Sequence, residues 1–474
     1  MRGEDLNAEI DPRDQEIAEL KALVAKLLAE NAELRARLGQ NSSNSSRPPS
    51  SDLPSAPKRP EREPTGRRRG GQKGHKPHER ALLPPERVQE SIDVKPSACR
   101  RCGGRLCGRD EEPLRHQVVE IPRAVAMATE YRLHALSCPR CRITTRAMLP
   151  EGVPAHMLGP RLKATIGVLS GCFRLSKRLI EELLANLFDA DISLGSIANA
   201  EQRIAADLDA PTTEVAQAVR AAAVVHADET GWRIGMKKAW LWLAATPTLA
   251  LFLIRRGRGT AQAQELLGAQ FAGIVGSDRW RSYRWLASNR RQLCWAHLKR
   301  DFTSFLEYRP EDKRLGRDLL RARDEIFAAR ARWRVGAIDW VAFQTHVQPL
   351  QREIEALLER GTTSTSPKVR GISREILRVR AALWTFVEHD DVEPTNNHAE
   401  RVLRHAVLWR KSSLGTDSDA GSRFAERILT VVQTLRLQRR NVLDYLVQVA
   451  AAAQLGHPAP SLLHASPLPV SVAA

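Results

Sequence analysis

The stretch AAAVVHADETGWRI, residues 221–234, constrains the fold more than any other. An apolar, partly β-branched run reads as a buried strand, yet it finishes on His226-Ala227-Asp228-Glu229-Thr230. An ionised carboxylate is costly to bury unless something pairs with it. Either the strand emerges into solvent there, or its acids hold a metal ion. Acids elsewhere in the chain decide between the two.

Two further strand signals follow closely, AWLWLAAT (239–246) and LALFLIRR (249–256), then a helix, TAQAQELLG (260–268). The short runs FAGIVGSDRW (271–280) and RQLCWAHL (291–298) complete a mixed α/β sheet. The crossover from the third strand returns beside the first, so strands one and four become neighbours, ending on Asp228 and Asp278. Farther on, DDVEPTNNHAERVLRHAVLWRK (390–411) offers Thr395 or Asn396 as N-cap of a helix carrying Glu400. Three carboxylates that converge without basic partners bind a hard divalent cation, because the metal's charge relieves their repulsion. Two Mg²⁺ ions about 3.5–4 Å apart can then activate an attacking oxygen and stabilise the leaving one in phosphodiester transfer. For any one acid the plain alternative is a solvent-facing residue or an N-cap.

The partner of such a site is suggested by charge. The 474 residues carry a net charge of +18, which points first to nucleic acid and second to a membrane surface or acidic protein. The charged start MRGEDLNAEIDPRDQE has no apolar stretch, and AWLWLAATPTLALFLI (239–254) is too short to span and is broken by Pro247, so the chain reads as cytosolic, with no membrane partner. From 17 to 38 a heptad places Ile17, Val24, Asn31 and Leu38 at a, and Leu20, Leu27 and Leu34 at d. β-Branched a residues with Leu at d and one Asn favour a parallel two-stranded coil, giving at least a homodimer; the alternative is a helix packed on its own protein. Residues 40–94 then read as a disordered linker in which Lys58–Arg80 holds nine Lys/Arg against three Glu, including Arg67, Arg68, Arg69 and Lys73. A flexible basic arm of this kind tracks phosphates, or is simply solvated.

Seven cysteines, an odd number, argue against a disulfide framework. Four of them form Cys99-x-x-Cys102 and Cys138-x-x-Cys141, the paired turns a tetrahedral Zn²⁺ site needs. Cys107 and His116 are substitute ligands or bystanders, and Cys172 and Cys294 read as core. A zinc module is thus expected over 95–150, and a helical region over 159–210. In the latter, SKRLIEELLANLF puts Leu179, Leu183, Leu184 and Leu187 on one face, and Ser193 or Ser196 caps the next helix. That is compatible with helix-turn-helix or with an ordinary helical pair. The expected layout is a coiled-coil helix over 11–39, the first part of the α/β domain over 220–300, a helical insertion over 301–392, its last part over 393–455, and a disordered tail over 456–474.

Taken together and in order, these stretches resemble insertion sequence 66 family transposases: the zipper, NSSNSSRPPSSD, RRRGGQKGH, the paired Cys-x-x-Cys module, HADETGWRI, GSDRWRSY, CWAHLKRDF, NNHAERVLRHAVLWRK and NVLDYL. The resemblance runs over nearly the whole chain, with local departures in GSDRWRSY and LWRKSSLG. It implies a ribonuclease H-like catalytic domain with a helical insertion, in which Asp228, Asp278 and Glu400 are the catalytic acids and ligands of Mg²⁺ or Mn²⁺. Glu426 is the other helical carboxylate considered for the third role. It further implies binding of terminal inverted repeats, hydrolytic release of 3′-OH ends and their transfer to target DNA in a bacterial, nucleoid-associated setting, beside two small accessory proteins of the same element.

Chemistry alone assigns the remaining candidates. His297 is an active-site auxiliary that contacts phosphate or nucleophile, or else a satisfied core histidine. Arg401, Arg404, Arg410 and Lys411 suit DNA phosphates, or form a solvated basic face. Trp232, Trp280 and Trp285 are better explained by core packing than by base stacking. The competing function is a sequence-specific DNA-binding regulator with a catalytically silent domain, which needs no acidic triad. A plain ribonuclease H-type hydrolase or resolvase needs none of the modules in the first 210 residues.

Overall fold

The computed structural model describes residues 20–28, 30–31 and 81–463. Residues 20–28 and 30–31 are helical, and Leu20, Leu23, Val24, Leu27 and Leu28 are exposed. Ile17, Leu34, Leu38 and the basic arm with Arg67, Arg68, Arg69 and Lys73 lie outside the described residues.

The expected linker ends before residue 94. Pro85–Arg87 forms a 3-10 turn, and Gln117 ties down Leu83 by accepting from its N–H (2.7 Å) and donating to its carbonyl (3.1 Å). Strands β1 (Ala135–Ser137) and β2 (Thr144–Arg146) form a hairpin with Cys138 and Cys141 at its tip. The bridge Ala98–Arg105 frames Cys99 and Cys102 in the same way. Side chains along 95–150 are almost all exposed, so this segment has no apolar core to hold it.

Helices α1 (Pro160–Gly171), α2 (Lys177–Phe188) and α3 (Leu194–Asp207) pack round Ile166, Ile180, Leu184, Ile197 and Ala200. Ser176 and Ser193 cap α2 and α3, accepting from Leu179 N–H and Ser196 N–H. The expected apolar face of α2 is only partly used. Ile180 and Leu184 turn inward while Leu179 and Leu187 stay exposed, because two neighbours leave room for one stripe four residues apart. α4 (Asp209–Arg220) leads into the sheet.

Five strands form that sheet: β3 (Val224–Ile234), β4 (Lys237–Ala245), β5 (Ala250–Arg255), β6 (Ile274–Ser277) and β7 (Arg291–Leu293), in the order β5-β4-β3-β6-β7. The first two pairings are antiparallel, and β3–β6 and β6–β7 are parallel. The crossover helix α5 (Thr260–Leu267) returns the chain beside β3, so the expected neighbours do meet.

Two boundaries differ from expectation. β3 does not finish on its acids: it runs on to Ile234, paired with β4 from His226 onward, whereas its ladder with β6 covers only Val224, Val225 and His226. The expected last strand stops at Leu293, and α6 (Trp295–Phe305) begins at once. The run looked strand-like because Leu293, Cys294, Trp295 and Leu298 are all buried, the helical ones included.

Helices α7 (Pro310–Arg334), α8 (Trp340–Gly361), α9 (Pro367–Leu377) and α10 (Thr385–Glu388) enclose a separate aromatic-rich core with Trp295, Phe302, Phe343, Trp384 and Phe386. α11 (Asn397–Ser413), α12 (Asp419–Leu437) and α13 (Val442–Gln454) close the chain. α11 covers one sheet face through Ala399, Val402, Leu403 and Ala406. α12 lies along the open edge of β5, where Thr434, Thr430 and Glu426, one helical turn apart, accept the N–H groups of Ala250 (3.1 Å), Phe252 (3.0 Å) and Ile254 (2.5 Å). An edge whose donors are taken cannot template another strand.

The start of the expected disordered tail is anchored: Leu462 is fully buried, and Glu214 accepts from Leu462 N–H at 3.0 Å and from the Ser461 hydroxyl. Residues 464–474 lie outside the described residues. Among the described residues, no helix is long and apolar enough to cross a membrane.

Candidate active site

Asp228 lies two residues past the last β3–β6 pair, and Asp278 follows the last residue of β6. Both acids therefore sit where the parallel ladder splays apart, in a cleft no neighbouring strand fills. Alternation along β3 sends Asp228 toward the α11 face and Glu229 toward the opposite one.

Glu229 is buried with partners that offset part of the cost. Arg258 donates Nε to its Oε1 at 2.9 Å, with Nη2 at 2.8 Å, and the Tyr283 hydroxyl donates to Oε2 at 3.0 Å. Arg258 is clamped between the Trp240 and Trp280 rings, 4.5 Å and 3.9 Å from their centroids. The sequence marks Glu229 as one of two adjacent acids; the period of two is the signal that assigns it to the other face.

Asp228 has no such partner. Burial pushes its carboxyl well above the usual carboxylate range, and Glu229, Asp278 and Glu400 push it further, against the one Glu229 N–H it accepts at 2.9 Å. Asp278 Oδ1 accepts from Trp280 N–H at 2.8 Å, which tightens the turn. The neighbouring Arg279 is committed elsewhere, paired twice with Asp301 (2.7 and 2.9 Å) and once with Glu375 (2.8 Å). Among the described residues, neither Asp228 nor Asp278 forms an ion pair with a basic side chain.

Glu400 stands in the first turn of α11, and its approach is fixed by the residue one turn earlier. Asn396 is the N-cap, as expected, but its side chain caps nothing. Asn396 Nδ2 donates to Ala227 O at 2.7 Å, and Oδ1 lies 3.2 Å from His226 Nδ1, which therefore carries the proton. Asn396 N–H donates to Cys294 Sγ at 3.1 Å, and Trp295 N–H to Pro394 O at 2.9 Å. The start of α11 is thus bolted to β3 beside Asp228 and to the start of α6.

His297, in the first turn of α6, is not a satisfied core histidine. It is part-exposed, and its Nδ1 is buried without a hydrogen-bond partner, 3.7 Å from Glu400 Oε1. With Asp278, Arg279, Arg300, Asp301, Ser304 and Lys368 it lines a cavity of about 180 Å³. Its lining mixes two carboxylates with Arg279, Arg300 and Lys368, and of these Arg279 is already paired with Asp301.

Arg401, Arg404 and Lys411 are exposed. Arg410 instead reaches β3, donating to Thr230 Oγ1 at 3.0 Å and Gly231 O at 3.3 Å. Glu426, the other helical carboxylate weighed, caps Ile254 N–H and pairs with Arg255 at 2.5 Å on the far edge of the sheet. Trp232 is core; Trp280 stacks on Arg258; Trp285 packs against the core with its N–H unpartnered.

The acids fit a divalent ion by their chemistry: two aspartates that lack a basic partner among the described residues, and Glu400, whose basic neighbour is the His297 ring. Among the described residues, however, the side chains whose ligand atoms gather within 4.8 Å of one another are Cys294, His297 and Glu400. The four thiols of the paired turns do not converge in this way. Each turn is preformed all the same: Arg101 and Cys102 N–H groups hold the Cys99 thiol below its ordinary range, and those of Cys141 and Arg140 do so for Cys138.

Metal-free stability should therefore fall as pH rises. Burial and Asp278 raise Glu229 from 4.5 to about 7. An acid whose folded pKa exceeds its unfolded one destabilises the fold increasingly as pH climbs between those values, here by up to about 3 kcal/mol. Thermal melts in chelator should drop from pH 5 to 8, and Mg²⁺ should restore the part of the loss that comes from Asp228, whose carboxyl is raised as well, and leave the part that comes from Glu229 on the other face. A chelated protein that gains stability over that range would remove the electrostatic account of the site.

Comparison with known proteins gives a family match over residues 156–424, to the model described as Transposase IS66 family. Residues 4–81 match a family of unknown function. Two relatives come from Sinorhizobium fredii (strain NBRC 101917 / NGR234). The "Uncharacterized protein y4qI" is 29% identical over 47% of this chain, which spans only 45% of that relative. The "Uncharacterized protein y4hP" is 25% identical over 78% of this chain and 73% of its own length.

Proposed function

Because the chain belongs to the transposase IS66 family, we propose that it cleaves the ends of its own mobile element and joins them to target DNA through Asp228, Asp278 and Glu400. The observation that carries this reading is the cluster of unpaired acids at the point where β3 and β6 diverge, with Glu400 fixed beside them by Asn396. The strand order β5-β4-β3-β6-β7, with β4 antiparallel to its neighbours, supports a ribonuclease H-like domain.

The three acids would hold Mg²⁺ or Mn²⁺, which when bound supplies Lewis-acid stabilisation of the phosphodiester reaction. The protein's own residues position the reactants. In the first step water attacks the phosphorus at the element end; the 3′ oxygen leaves and takes a proton, giving a 3′-OH and a 5′-phosphate. In the second, that 3′ oxygen attacks a target phosphodiester, gives up its proton, and displaces the target's 3′ oxygen. Arg300 and Lys368 on the cavity wall, with Arg401 and Arg404 on α11, steer phosphates toward the acids. His297 faces the same cavity and contacts the phosphate or the attacking oxygen.

The amino-terminal modules would supply end recognition and assembly. The exposed helical residues Leu20, Val24 and Leu27 fit a dimer seam, and Arg67, Arg68, Arg69 and Lys73 fit a phosphate-tracking arm. The two preformed Cys-x-x-Cys turns fit one structural Zn²⁺, needed because residues 95–150 lack a core. Purified chain should then carry Zn²⁺ that Cys99→Ser with Cys138→Ser removes, and that loss should open the segment to protease. Zinc content unchanged by the double substitution would end the assignment.

The direct test is to incubate the protein with labelled DNA from its element's ends in Mg²⁺ or Mn²⁺. A discrete nick leaving a 3′-OH is expected. Tight binding without cleavage in either metal would favour the regulator. Glu426→Gln should keep cleavage, since the amide can still accept from Ile254 N–H; its loss would reopen the choice of third acid.

A further inference from the structure

We propose that Cys294, His297 and Glu400 form a second cation site, separate from that of the two aspartates, selective for a borderline-soft divalent ion of the Zn²⁺ class. The proposal shares Glu400 with the catalytic reading but stands on its own geometry. The three ligand atoms already lie within 4.8 Å of one another, and His297 Nδ1 and Glu400 Oε1 are 3.7 Å apart. A tetrahedral ion with bonds of about 2.0–2.3 Å needs ligands roughly 3.3–3.8 Å apart; the His297–Glu400 pair at 3.7 Å already meets this, and the three atoms together lie within about 1 Å of it.

A second observation is independent of that spacing. His297 Nδ1 is buried and has no hydrogen-bond partner, a state that is rare for a polar atom unless something absent satisfies it. The third ligand is a buried thiol. Burial raises Cys294 above its ordinary range, and the Asn396 N–H that Sγ accepts at 3.1 Å offsets only part of this, so it is the ion that draws the proton off. Uptake of the ion would therefore release the thiol proton to solvent and form the sulfur–metal bond in exchange.

Ligand softness decides what binds. Mg²⁺ accepts oxygen and avoids thiolate, whereas one thiolate, one imidazole and one carboxylate suit Zn²⁺ or Co²⁺ and leave a fourth position open. An ion held there commits Glu400 to the α6 side of the cleft, away from Asp228 and Asp278. Micromolar Zn²⁺ would then inhibit Mg²⁺-supported cleavage.

The experiment is a Co²⁺ titration of metal-stripped full-length chain, wild type beside Cys294→Ser, His297→Ala and Glu400→Gln, read by stoichiometry and by the wild-type-minus-variant difference in near-ultraviolet thiolate-to-cobalt absorption, in which the contribution of the paired Cys-x-x-Cys turns cancels. Wild type should take up one equivalent more than each variant, with the single-thiolate band missing in Cys294→Ser. Circular dichroism melts establish that each variant is folded, and Glu400, being part-exposed, tolerates replacement best. Because Glu400 is shared with the catalytic acids, the decision rests on the other two ligands: equal stoichiometry in wild type and in folded Cys294→Ser and His297→Ala overturns the site. The catalytic reading is scored apart, by Mg²⁺ nicking. An extra equivalent without nicking keeps this site and sinks that reading, and nicking without the extra equivalent does the reverse.

Discussion

Asp228→Asn should abolish cleavage of element-end DNA, by at least about 10³-fold, while leaving DNA binding and folding intact. The magnitude follows from removing a charge aimed at the transition state, where a thousandfold loss corresponds to about 4 kcal/mol. Retention of the fold follows from the electrostatics of this site. Asp228 is held above its ordinary range by burial and by three other carboxylates, so its charge opposes folding when no cation is present. The amide keeps the shape, can still accept from Glu229 N–H, and removes the repulsion. In chelator the variant should melt no lower than wild type, and Mg²⁺ should raise its melting temperature less. Asp278→Asn should behave alike in cleavage. Loss of end binding in both variants would make the acids structural.

Asn396→Ala should impair both stability and cleavage, though it removes no acid. The substitution strips the partner from Ala227 O and from His226 Nδ1, both buried. An orphaned buried polar group costs about 1–3 kcal/mol, so a loss of roughly 2–5 kcal/mol is expected by denaturant melts. The functional effect is separate. Asn396 is the bolt between the start of α11 and the strand carrying Asp228, one turn before Glu400, and a catalytic group displaced by 1 Å can cost about a hundredfold. Nicking should therefore fall well beyond what the unfolded fraction explains. Wild-type turnover in the folded fraction would show that Glu400 is positioned without Asn396.

Much of this was legible in local pattern. The apolar runs of β3, β4 and β5, the crossover helix and the adjacency of β3 and β6 follow from periodicity and connection rules. The Cys-x-x-Cys turns follow from spacing, and the order of the motifs carries the family. Side-chain period was also sufficient to separate Asp228 from Glu229, once β3 was allowed to continue to Ile234.

Contacts across long stretches of chain were decided only by the tertiary structure. Asn396 looked like a helix cap because caps are a local habit of Asn, but its side chain spends its hydrogen bonds on Ala227 and His226, some 170 residues away. Glu426 looked like a third acid and instead closes the sheet edge at Ile254. Arg410 looked free for phosphate and is held by Thr230 and Gly231. Cys294 is core, as it looked, and the packing also sets it beside His297 and Glu400. A sequence carries propensities that act over one or two helical turns or one strand. Which polar group receives which partner depends on how separate faces pack, and burial makes that choice by penalising every group left without one.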